Sequence, residues 1–372
     1  MNRFFDEVKK NFGFGCMRLP MKNGEVDYDE FTKMVDFFIE NGFNYFDTAH
    51  GYVGGMSEVS LRNCLTSRYP REAYVLTDKL STHHFNKHEE IRPLFESQLK
   101  ACGVEYFDFY LMHAQDANIF EKYKKLHAYE TALEFKEEGK IKHFGISFHD
   151  KSDVLDMILT EYPQIEAVQI QFNYVDYENP SVESLKCYKV CEKHGKPVIV
   201  MEPVKGGSLV DLPPKAKKIL DDLHDGSPAS YAIRFAASFQ NVMMVLSGMG
   251  NMGMMTENVN FMKNFIPLND TEKRAIEQVR DIFRSQNLIP CTACRYCMEQ
   301  CPKNIAIPDL FACLNAKKQF NNWKTDYYYN NIHTQSRGKA SDCVKCGKCE
   351  QICPQHLEIR NLLTDVAKEF DK

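Results

Sequence analysis

The sequence predicts a closed (β/α)8 barrel of the TIM type, class α/β, followed by a small cysteine-rich domain, and three observations carry that expectation. Between residue 12 and about residue 250, eight short β-branched or aromatic runs alternate with segments of helical periodicity. No Gly-rich phosphate loop follows the first run, as it usually does in an open doubly wound sheet, so closure is favoured. Beyond residue 288 the composition turns abruptly to Cys, Asn, Lys and Tyr, and eight of the 14 cysteines fall there in two short runs.

The strand candidates begin at Phe12, Phe43, Ala73, Phe107, Lys142, Glu166, Pro197 and Asn241. Between them lie crossover helices with apolar residues three or four apart, among them SEVSLRNCL and the stretch from Glu121 to Gly139, each read as a single helix. Ser227 before Pro228 has the form of an N-cap followed by proline at the first helical position, while Gly42, Gly103, Gly139 and Gly195 stand where left-handed C-terminal caps belong. A charged amphipathic segment, EKRAIEQVRDIFRSQ, closes the barrel part, which gives domains at 1–287 and 288–372.

Composition narrows the function. With 44% hydrophobic and 26% charged residues the chain is globular, and a net charge of -5 gives no reason to expect a nucleic acid partner. No secretion signal or membrane span is legible, so the expectation is a cytoplasmic protein with no membrane partner. In a reducing compartment Cys16, Cys64, Cys102, Cys187, Cys191 and Cys313 read as ordinary thiols. The loop with His83, His84 and His88 has no carboxylate or thiol at ligand spacing and reads as a solvated or substrate-facing loop.

In a barrel of this kind chemistry gathers at the C-terminal ends of the strands. The polar residues that end the apolar runs are Asp47, Lys79 and His113, and DTAHGY places Tyr52 in the loop after Asp47. Reducing a carbonyl needs a hydride on carbon and a proton on oxygen, so an acid must stand beside that oxygen. Tyr52 can donate, and the Lys79 ammonium beside it would favour the phenolate and make the phenol a stronger acid, at about 1.4 kcal/mol per pKa unit. Asp47 would fix Lys79, and His113 would hydrogen-bond the substrate oxygen.

In identity, order and strand position, these four residues resemble the catalytic tetrad of the aldo-keto reductase family. The likeness covers about residues 10 to 270 and includes Ser57-Glu58 and the triplet Thr256 to Asn258. It implies a small carbonyl or alcohol substrate and a nicotinamide dinucleotide, NADPH or NADH, laid across the barrel mouth without a glycine fingerprint. By the same resemblance Ser147 and Gln169 would hold the carboxamide, Ser247 and Gly248 would approach the pyrophosphate, and Glu257 and Asn258 would contact the adenine. Met201 stands where many relatives stack an aromatic ring on the nicotinamide, and residues 247–258 contain no Lys or Arg for a 2'-phosphate.

The two cysteine runs are Cys291, Cys294, Cys297, Cys301-Pro302 and Cys343, Cys346, Cys349, Cys353-Pro354. The x2, x2, x3 spacing resembles that of bacterial two-cluster ferredoxins, in which three thiolates hold one [4Fe-4S] cluster and the fourth ligates the other. The resemblance assigns Cys291, Cys294, Cys297 and Cys353 to one cluster and Cys343, Cys346, Cys349 and Cys301 to the second. Two four-Cys zinc sites are the alternative. The 41 residues from 302 to 342, including the lone Trp323, exceed a compact ferredoxin and point to a more helical variant or to an insert packed on the barrel.

Together these features describe an iron-sulfur subgroup of the aldo-keto reductases, with the clusters exchanging electrons with a redox partner protein. A hydride moves two electrons and each cluster takes one, so coupling the halves calls for a flavin or a radical step. The alternative is an electron-transfer or binding protein whose barrel is a docking scaffold without carbonyl chemistry.

Overall fold

The computed structural model describes residues 4–178, 182–285, 288–289, 291, 295–320, 325–326, 328–353 and 355–371. The chain divides into two units, Met1–Leu209 with Ala229–Asp270, and Val210–Pro228 with Thr271–Lys372. Cys294, Trp323 and Pro354 lie outside the described residues.

The first unit is a closed barrel of eight parallel strands, one for each predicted run. They are β1 (Phe12–Gly15), β4 (Tyr45–Asp47), β5 (Val75–Leu80), β6 (Phe107–Gln115), β7 (Ile141–Phe148), β8 (Ala167–Gln171), β9 (Val198–Met201) and β10 (Val242–Ser247), with β10 closing on β1. Two shorter strands, β2 (Met21–Lys22) and β3 (Glu25–Val26), form a hairpin outside the barrel. Its turn residues Asn23 and Gly24 sit at φ 54° and 86°, the left-handed pair that an Asn-Gly hairpin turn uses.

The crossover helices include α1 (Tyr28–Glu40), α2 (Met56–Leu61), α3 (Ile91–Cys102), α4 (Ala117–Lys125) and α5 (Ala128–Glu137). Gly103 ends α3 at φ 67°, its N–H meeting the Leu99 and Lys100 carbonyls, and the other three expected caps also have positive φ. Two helices differ from expectation. The Glu121–Gly139 stretch breaks at His127, φ 52°, where Lys122, Lys124 and Lys125 crowd the end of α4 and suit a helix C-terminus. The segment read as one helix from Ser57 leaves α geometry after Leu61 and continues as a π turn over Arg62–Thr66.

Strand periodicity explains how the interior is built. Tyr45, Val75, Phe109, Ala167, Ile199 and Met244 pack together as one apolar cluster with Val8, and Phe4 and Phe5 lean on it. Two or four residues further along each strand, on the same inward face, come Asp47, Thr77 and Lys79, Leu111 and His113, Gln169, and Met201. Gly145 belongs to this packing, since a Cβ there would lie 2.6 Å from Leu111 Cδ2 and 2.7 Å from the Ala167 carbonyl oxygen. The apolar floor thus sets the height at which the polar residues emerge.

The second unit is helix-rich. A long amphipathic helix, Asp270–Ser285, lies in it from Thr271 on, together with helices Ile307–Phe320 and Ile359–Phe370. Ile305, Leu310, Phe311, Leu314, Tyr329, Leu363 and Val366 form its core. The residues between the cysteine runs help to build this unit: Ile305 bridges Gly338, and Tyr329 stacks on Phe370 at 4.5 Å while its hydroxyl donates to Asp371 and accepts from the Ala340 N–H. Gly338 is required by that approach, because a Cβ would fall 2.4 Å from the Lys303 carbonyl oxygen.

Candidate functional site

Asp47 ends β4 and Lys79 lies near the end of β5, both buried. Lys79 Nζ donates to Asp47 Oδ1 at 2.7 Å and to the Thr48 carbonyl at 2.7 Å, and stands 4.8 Å from the centre of the Tyr52 ring. Tyr52 opens a short 3-10 turn, Tyr52–Gly55, in which Val53 and both glycines adopt positive φ. That turn is pinned from below, where Thr48 Oγ1 meets Ser57 Oγ at 2.7 Å and Ser57 donates to the Cys16 carbonyl. His113 completes the group, its ring centre 6.0 Å from that of Tyr52 and its Nδ1 2.5 Å from Ser81 Oγ. Asp47, Lys79 and His113 at strand ends and Tyr52 in the loop after Asp47 therefore stand together.

The electrostatics follow from burial. Burial is the largest single influence on Lys79 and lowers its pKa, but Asp47, Tyr52 and Asp78 together outweigh it and hold the ammonium above the ordinary lysine value. For Tyr52 the net direction is upward: burial raises the phenol and Lys79 pulls it back only part of the way. The expected lowering by Lys79 is present as a component, but desolvation is larger, so the phenol of the free protein is a weaker acid than tyrosine in water. A second buried pair adjoins the site. Asp78 is hydrogen-bonded to Glu58, and its carboxyl is pushed well up by burial and then by that neighbour's charge, while Glu58 also meets His50 Nδ1 at 3.0 Å. His84 sets its ring edge-on to His50 at 4.6 Å.

His113 owes its aim to an irregularity. The β6–β7 register shifts between Met112 and Gln115, and Ala114 takes φ 54°. The Ala114 N–H freed from the ladder donates to Ser147 Oγ at 2.7 Å. Ser147 keeps its own hydroxyl proton to give, and Gln169, which donates to Asp47 Oδ2 at 3.2 Å, keeps its amide oxygen. A donor and an acceptor side by side on paired strands suit a carboxamide.

The remaining cofactor candidates cluster at the end of β10. Asn258 Nδ2 donates to Ser247 Oγ at 3.3 Å, Gly248 and Glu257 are exposed, and Met201 is half-buried at the end of β9. One residue was missed. Arg18, exposed in the loop after β1, lies beside Gly248, its Nη1 3.8 Å from where a Cβ on Gly248 would be. It makes no ion pair among the described residues and supplies the cation that residues 247–258 lack. Its distance in sequence hid it, since only barrel closure brings β1 against β10.

In the second unit the thiols line two cavities. One is bounded by Cys301, Cys343, Cys346 and Cys349 with Ile305, Ile307 and Leu363. The other is bounded by Cys291, Cys297 and Cys353 with Ile307, Phe311 and Ile359. Each cavity thus draws cysteines from both runs. The Ile305 N–H donates to Cys301 Sγ at 3.4 Å.

The model of the aldo/keto reductase family matches residues 11–281, and that of the 4Fe-4S dicluster domain matches residues 290–357. L-galactose dehydrogenase of Arabidopsis thaliana is 24% identical over 266 residues, 66% of this chain and 82% of its own. NADH-specific methylglyoxal reductase of Escherichia coli (strain K12) is 27% identical over 211 residues, covering 51% of this chain and 61% of that relative. Among solved structures, an aldo-keto reductase from Klebsiella pneumoniae in complex with NADPH superposes with a TM-score of 0.59 at 16% identity, over 73% of this chain and 95% of that one. That likeness is one of fold. No helix among the described residues is long and apolar enough to cross a membrane.

Proposed function

Because the chain belongs to the aldo/keto reductase family, we propose that this oxidoreductase interconverts a small carbonyl compound and its alcohol, with Tyr52 as the acid and base. The Lys79 ammonium, 2.7 Å from Asp47 and 4.8 Å from the Tyr52 ring, is the observation that carries the reading. A bound nicotinamide dinucleotide supplies the hydride. Ser147 and Gln169 present the donor and acceptor that orient a carboxamide, and Ser247, Gly248, Glu257, Asn258 and Arg18 line the path of the rest of the dinucleotide.

The protein's own work is protonic and electrostatic. His113, held through Nδ1 by Ser81, points its other nitrogen at the substrate oxygen and fixes that oxygen's distance from Tyr52. As negative charge grows on the oxygen, the Tyr52 proton moves to it. The phenolate left behind is stabilised by Lys79, whose charge Asp47 keeps in place. The same groups run in reverse when an alcohol is oxidised.

For the tail, the reading is two [4Fe-4S] clusters, one in each thiol-lined cavity. In its support, each cavity is bordered by thiols from both runs, the sharing that the two-cluster ferredoxin spacing implies. Such clusters supply one-electron transfer and need free thiols, which fits a reducing cytoplasm.

The test is Tyr52→Phe. Carbonyl reduction with NADPH or NADH should fall by about 100-fold or more, while cofactor binding, followed by fluorescence, is retained. Unchanged turnover would remove Tyr52 from the chemistry.

A further inference from the structure

The two thiol-lined cavities differ in their charge and in their access to solvent. Among the described residues, Lys303 and Arg360 are the charged groups lining the cavity of Cys301, Cys343, Cys346 and Cys349, where Cys346 is exposed and Cys349 buried. Exposed around it stand Val344, Lys345 and Lys348. Glu350 pairs with Arg360 at 2.7 Å, so those two charges offset each other, while Asp342 accepts the backbone Lys339 N–H at 2.8 Å and keeps its charge; Lys303, Lys345 and Lys348 outnumber it. Among the described residues, none that lines the cavity of Cys291, Cys297 and Cys353 is charged and none of those three thiols is exposed.

We propose that the Cys346 side is the port at which the tail exchanges single electrons with an acidic carrier protein, and that the uncharged cavity is the inner site. The proposal rests on the two-cluster reading. A cationic rim around an apolar, solvent-reaching site draws an anionic partner and brings its redox centre close. At the encounter one electron leaves the carrier, which is oxidised, and is taken up at the Cys346 site, which is reduced; no bond is made and no proton moves. Lys303 and the Lys345–Lys348 pair dock the carrier, and their charge also favours the reduced, more negative state of the site they surround.

The experiment uses the full-length protein, purified anaerobically, with iron and sulfide assayed first. Cluster bleaching is then followed by stopped flow after mixing with a reduced, acidic plant-type ferredoxin at rising salt. The second-order rate should fall several-fold between about 50 and 200 mM salt. The variant Lys303→Gln/Lys345→Gln/Lys348→Gln should lose about tenfold at low salt and show a flatter salt dependence. Reduction by the methyl viologen radical cation should respond in the opposite sense, and Lys215→Gln/Lys217→Gln/Lys218→Gln, which removes equal charge from another helix, should leave the ferredoxin rate unchanged. In a redox titration the first triple variant should lower only one of two midpoint potentials. A salt-independent ferredoxin rate, equal effects of the two triple variants, or both midpoints moving together would overturn the port. Iron and sulfide well short of eight per chain would instead overturn the two-cluster reading on which it rests.

Discussion

Tyr52 is held by opposing effects, and pH separates them. Burial raises the phenol above 10 and Lys79 draws it down. The acid form is needed for reduction and the phenolate for oxidation, so kcat/KM for carbonyl reduction should be flat from pH 7 to about 9, while that for alcohol oxidation should climb with a slope near one per pH unit. Lys79→Met removes the downward pull, and oxidation at pH 9 should drop by at least about tenfold, as one to three pKa units require; a pH–rate profile in each direction checks both. The identity of these residues was legible because each polar side chain ends an apolar run. The net direction of the Tyr52 shift was not, because desolvation depends on how the folded chain buries the ring, and no spacing in the sequence reports that. Arg18 escaped for a similar reason, being brought to Gly248 only by the junction of first and last strands.

Strand β6 shows how an element trades regularity for aim. Its period of two carries Phe109 and Leu111 to His113, and then the ladder slips so that Ala114 stands at φ 54° with its N–H on Ser147. A left-handed non-glycine residue costs about 1–2 kcal/mol, and a β-branched one more. Ala114→Val should therefore lower stability by about 2 kcal/mol and depress turnover with it, whereas Ala114→Gly should fold at least as well as the parent; denaturant titration of both gives the answer. Equal stability of the two variants would mean that the bulge does not constrain His113. The eight strands and most crossovers could be read from periodicity. The bulge could not, since MHAQ has no glycine or proline to mark it, nor could the break at His127, where helical periodicity runs on through a residue held at φ 52°.

At the scale of the whole molecule, two units with separate cores should respond separately to loss of iron. Oxidative removal of the clusters should abolish or sharply lower one calorimetric transition, that of the unit built on Ile305, Phe311 and Leu363, and leave the barrel transition within about 2 °C; a single cooperative loss of both would show the units to be coupled. The two cysteine runs announced this unit plainly in the sequence, whereas the Gly338 bridge and the Tyr329–Phe370 stack arise from residues whose partners lie far along the chain. The sharing of thiols between runs has a consequence for biogenesis. Since Cys353 borders the same cavity as Cys291 and Cys297, that cavity stays unclosed until the second cysteine run has been synthesised. The barrel can fold while that run is still being made, but metal insertion must wait for it, and a truncation after the first run would leave neither cavity with its full set of thiols.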